Sequence, residues 1–165
     1  MQFQDRYDFL KTSISRYDGY YQLAAVKASL LLTSNAVLLA PALGERGRFQ
    51  ELVDGGGAGR VLIVAAMLLA LTSIAFAAWV LASTLTRRDA IGYHSLMFTE
   101  SVADTSAEEH ERGIRRMSES KVIDDLSHLA HLLAAGVAPK FRHVNHSLAA
   151  LVSAIALACA ATLSG

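Results

Sequence analysis

Three stretches of this 165-residue chain, Leu23 to Leu43, Val61 to Leu85 and Ser147 to Leu163, are apolar over enough length to cross a lipid bilayer. A helix rises about 1.5 Å per residue, so roughly 20 apolar residues cover the hydrocarbon core. The second stretch, VLIVAAMLLALTSIAFAAWVLASTL, carries no charge. The third, SLAALVSAIALACAATL, is short for a span and reaches across only if it begins within the preceding HVNH. The first holds Asn35 inside it and Lys27 near one end, where the ammonium must snorkel to the headgroups. The pattern predicts an all-α integral membrane protein with three transmembrane helices.

A second regularity precedes the first span. Phe3, Tyr7, Leu10, Ile14, Tyr17 and Tyr21 recur at alternating spacings of four and three, a heptad seam. The same register runs on through Ala24, Ala28, Leu31, Asn35 and Leu38. One long helix can therefore carry a single packing stripe into the bilayer. That stripe either packs within the chain or faces a second copy. In the second case Lys27, Ala28 and Asn35 mark a homo-oligomer seam, with Ala24 and Ala28 allowing close approach and Asn35 hydrogen-bonding across the interface.

The organisation that follows is an N-terminal cytoplasmic helix over 1–22 continuous with the first span at 23–43, and an outer loop at 44–60. A second span at 61–85, a cytoplasmic helical insert at 86–146 and the third span at 147–163 complete it. Within the insert, Ser106-Ala107-Glu108-Glu109 reads as a capping box. Val122, Leu126, Leu129 and Leu133 form one apolar stripe, ended by Gly136 and Pro139. Two short amphipathic helices are expected, the later one leading into the third span.

Charge adds orientation. The formal charges balance at 15 against 15, which removes a strongly basic DNA or RNA binder from consideration. With the N-terminus inside, twelve cations are cytoplasmic and only Arg46, Arg48 and Arg60 lie outside, so the positive-inside rule favours a cytoplasmic N-terminus. Trp79 and the group Tyr17, Tyr20 and Tyr21 fall where aromatic belts form. The Ala40-Pro41-Ala42 sequence imitates a signal cleavage site, but the long, charge-balanced segment before it reads as an uncleaved anchor. A lone Cys159 permits no internal disulfide.

Candidate chemistry is sparse. The glycine-rich run Asp54 to Gly59 lacks the Gly-Lys-Ser/Thr ending of a phosphate loop and reads as a hairpin connection. Asp124, His128 and His131 fall on one helical face, a weak metal alternative without cysteine or HExxH support. No GxSxG, no paired intramembrane carboxylates and no activated nucleophile occur, so neither an enzyme nor a proton-coupled pump is expected, and no cofactor. Anion binding has more behind it. Arg87 and Arg88 end the second span, Arg112, Arg115 and Arg116 cluster among glutamates, and Lys140 and Arg142 precede the third span. With Tyr93, His94 and Phe98 nearby in sequence, phosphate recognition with base stacking is chemically feasible; the plainer reading is topology and anionic lipid.

The order of parts resembles a known family. AAVKASLLLTSNAVLL is similar to the first span of the Pycsar transmembrane effectors of bacterial anti-phage signalling. SLMFTESVAD resembles their Phe-containing segment after the second span, and VIDDLSHLAHLLAAGVAPKFRHVNHSLAALV their closing Asp-Leu helix, Lys-Phe/Tyr element and final span. Pro139 departs from the pattern. The resemblance implies an inner-membrane effector that a cyclic pyrimidine nucleotide, cCMP or cUMP from a cognate cyclase, switches to membrane impairment and abortive infection. By motif it carries over Lys27, Asn35, Phe98, Asp104, Asp125, Lys140 and Phe141. Arg87, Arg88, Phe98, Asp104, Lys140 and Arg142 are then the candidate ligand-binding residues, with membrane lipid as the other partner. The rival classes are an oligomeric scaffold without a nucleotide ligand and a histidine-based metal-responsive membrane protein.

Overall fold

The computed structural model describes residues 2–44 (side chains to 40), 57–82 and 105–163, and all its regular elements are helices. We number them α1 (Phe3–Gly44), α2 (Ala58–Ala82), α3 (Ala107–Arg115) and α4 (Glu119–Leu163). Among the described residues there is no strand. Helices α1, α2 and α4 are each long and apolar enough to cross a membrane. The chain is a helical membrane protein.

Two compact units are formed, Met1–Gln22 with Leu85–Ala138, and Leu23–Thr84 with Pro139–Gly165. In the second, burial runs opposite to that of a water-soluble bundle. The fully covered positions are small: Ala24, Ala28, Ala70, Ala77 and Ala154. Large apolar side chains point outward, with Leu30 62%, Val37 69% and Leu68 60% exposed. Between apolar helices in lipid, burying a leucine gains little over leaving it in the acyl chains. Close backbone approach and interhelical hydrogen bonds hold the helices together instead, and small residues permit both. The core cluster of this unit is accordingly Ala24, Ala28, Leu31, Ala77, Val80, Val144 and Leu151.

The seam predicted on α1 is the face that α1 buries. Ala24, Ala28, Leu31 and Asn35 are buried in one chain, while Phe3, Tyr7, Leu10, Ile14, Tyr17 and Tyr21 are half-buried. Within the single chain, Ala24, Ala28 and Leu31 of that stripe pack in the core of the second unit.

The insert differs from expectation at its second helix. Ser106 caps α3 through a hydrogen bond from the Glu109 N–H at 3.3 Å, as the capping box predicts. Ser118 does the same for α4, accepting from the Lys121 N–H at 3.4 Å. But α4 does not stop at Gly136 and Pro139; it is one helix of 45 residues with Pro139 inside it. Proline removes one backbone donor and crowds the preceding turn, a cost that apolar surroundings and flanking helical turns tolerate in spanning helices. Gly136 has a packing role rather than a terminating one. A Cβ there would collide with the Tyr21 hydroxyl, so the glycine is what lets that ring lie against α4.

Candidate functional site

One buried polar residue from each long helix meets at a single point in the second unit. Asn35 of α1, Ser73 of α2 and Ser147 of α4 are all fully buried. The Asn35 amide donates to the Leu31 carbonyl at 2.8 Å and to Ser73 Oγ at 2.9 Å. Ser73 Oγ donates to the Ser147 carbonyl and Ser147 Oγ to the Ser73 carbonyl, each at 2.8 Å. With both hydroxyl protons so directed, the 3.0 Å approach of the two Oγ atoms carries no proton of its own. Reversing the amide would set Asn35 Oδ1 against the Leu31 carbonyl, so the network fixes its orientation. Every donor of the three side chains is matched, and one acceptor, Asn35 Oδ1, is buried without a partner among the described residues. Of the two partners the sequence leaves open to Asn35, the single chain supplies Ser73, and Ala28 is enclosed in the same unit.

A second cluster lies along α2 and α4. Phe76 stacks on His143 with centroids 5.7 Å apart and meets His146 at 5.6 Å, while Trp79 lies 6.4 Å from His143. The Lys140 ammonium donates to the Val80 carbonyl at 2.9 Å, satisfying a backbone oxygen in the last described turn of α2. Exposed Lys27 sits over the Phe141 ring at 5.4 Å, a cation–π contact that anchors its stem. Arg142 is exposed. Lys140 thus ties α4 to the end of α2, and Arg142 faces outward.

In the other unit Asp125 is fully buried, and neither carboxyl oxygen has a hydrogen-bond partner among the described residues. Burial first and Asp18 second push the nearby-in-sequence Tyr21 hydroxyl above the ordinary tyrosine range. The arginine cluster on α3 is largely committed internally. Arg115 pairs with Glu111 at 2.7 Å, and Arg112 donates to the Glu108 carbonyl at 3.1 Å.

Arg87, Arg88, Phe98 and Asp104 lie outside the described residues. The metal alternative is not built. Asp124, His128 and His131 are each exposed, and among the described residues no three His, Cys, Asp or Glu side chains are grouped to hold an ion. The helical spacing places them on the outward face of α4, where polarity is expected in any case.

The Pycsar effector protein domain matches residues 9–165. The chain belongs to the Pycsar effector family. The match takes in all three candidate spans, and it makes the protein a membrane-embedded anti-phage effector. No curated protein and no solved structure matches the chain. Sequence reading missed Ser73, Ser147 and the Phe76–His143–His146 stack. The one available signal for the serines was a hydroxyl inside an otherwise apolar run.

Proposed function

We propose that the chain is a non-enzymatic effector of the bacterial inner membrane with a cytoplasmic N-terminus. A cyclic pyrimidine nucleotide, cCMP or cUMP from a cognate cyclase, switches it, and the altered helix packing impairs the membrane and aborts the infection. What carries the reading is the extent of the domain match, which covers every candidate span and the segments joining them. The ligand acts only through a difference in affinity between two helix arrangements; equal affinity would shift nothing. Arg87, Arg88, Phe98 and Asp104 remain the candidate contacts, with Arg142 as an outward-facing cation. Asp125 adds a buried carboxyl group with no hydrogen-bond partner among the described residues, an acceptor suited to an N–H edge of a pyrimidine base. Assembly of several copies is part of the same reading.

Calorimetric titration of the detergent-purified chain with cUMP, cCMP, cAMP, cGMP and a cyclic oligonucleotide tests it. Saturable binding confined to a cyclic pyrimidine supports the proposal. A folded sample that binds none of them sinks it in favour of a scaffold.

A further inference from the structure

The hydrogen bonds between Ser73 and Ser147 fix a depth. In the sequence Ser73 stands midway between Arg60 and Arg87, the charges that bracket the uncharged second span. Ser147, read from sequence as the inner boundary of the third span, is bonded to that midpoint. The part of α4 at bilayer depth therefore begins about ten residues before Ser147, since half a hydrocarbon core is roughly 15 Å and each residue rises about 1.5 Å. Arg142 and Asn145 then stand only about 7 Å and 3 Å along the axis from the middle of the bilayer.

Both are exposed in the single chain. At 100° per residue they share a face of α4 with Ala149, Ser153, Ala156 and Ala160, all exposed, and that face is turned away from buried Val144, Ser147, Leu151 and Ala154. An amide and a guanidinium at this depth are costly against acyl chains, and ionisable groups inside spans face protein or water. We propose that this face of α4 is where copies of the chain assemble. The third spans surround an axis lined at the Pro139 end by Arg142 and deeper by Asn145. The occupant is a second copy because the face is self-complementary. An asparagine amide both donates and accepts, so it pairs with its own equivalent, and the small residues beyond it allow parallel helices to approach. Arg142 cannot pair with itself, so the axis is hydrated and cationic at that end, a lining that suits anions. This opening deepens the proposed function and rests on it for its consequence in the cell.

Cysteine cross-linking in native membranes tests the assembly without any nucleotide. In a Cys159→Ser background, Ala149→Cys and Ser153→Cys should give disulfide-linked dimers on oxidation, and Val37→Cys, exposed on α1, should stay monomeric. The native Cys159 lies about a quarter turn off the face and should link poorly. Adding Asn145→Leu to Ser153→Cys should lower the linked fraction about tenfold, the effect of one interhelical hydrogen bond in a bilayer. Monomers throughout, or equal linking at Val37→Cys, overturn the proposal. A nucleotide that fails to bind in calorimetry leaves these outcomes untouched, so the two readings fail separately.

Discussion

Helices α1 and α4 carry the same kind of stripe and use it differently. Each runs at spacings of three and four through one asparagine, Asn35 with Ala24, Ala28, Leu31 and Leu38 in α1 and Asn145 with Arg142, Ala149, Ser153, Ala156 and Ala160 in α4. In α1 the stripe is buried and its amide bonded to Ser73; in α4 it is exposed along its length. Heptad spacing thus states that a face packs without stating what it packs on. The deciding information is which face the other spans of the same chain already occupy.

The comparison is broken most forcefully at Ser73. Ser73→Ala removes the acceptor of the Asn35 amide and the donor to the Ser147 carbonyl, and should destabilise the bundle by about 2–3 kcal/mol in reversible unfolding. Thr72→Ala, one residue away, should change it by less than about 0.5 kcal/mol, because Thr72 is exposed and, among the described residues, its Oγ1 bonds only to the Leu68 carbonyl of its own helix. Equal losses in both would show that the junction is not what holds the three spans.

Gly136→Ala comes next. The added methyl meets the Tyr21 hydroxyl and should cost about 1–2 kcal/mol, with Tyr21→Phe in the same chain recovering part of it. A double-mutant cycle with no coupling would remove that contact from the account of unit one.

Asn35→Leu against Asn145→Leu sharpens the contrast between the stripes directly. The first should leave cross-linking at Ser153→Cys unchanged, and the second should reduce it about tenfold. A loss on Asn35→Leu alone would return the oligomer seam to α1.

The smallest effect is in alkali. Because burial and Asp18 raise the Tyr21 hydroxyl, this residue resists ionising in the folded chain more than in the unfolded one. Its contribution to stability is complete below the ordinary tyrosine value and declines as pH rises from there through the raised one. Absorbance titration of the phenolates should show a late component that Tyr21→Phe removes.

The spans and the α1 stripe were legible because length and period are one-dimensional properties. The junction was not. Ser73 and Thr72 are adjacent hydroxyls in the same apolar run, and only the rotation of α2 against its neighbours decides which of them is interhelical. Pro139 misled for a related reason, since its preference to end helices is a local tendency that packing on both sides overrode. The bond from Lys140 to the Val80 carbonyl was equally out of reach of the sequence, because it depends on a residue sixty positions away.

Asn35 Oδ1 is buried with no hydrogen-bond partner among the described residues. In an apolar interior an unmatched acceptor costs about 1–3 kcal/mol, but both serine protons beside it are already donated, so a rotation of α2 or α4 that turns one of them to this oxygen exchanges one hydrogen bond for another. For an effector this would make the junction a pivot at which the spans exchange partners without losing a bond, so that a ligand need supply little energy at this point.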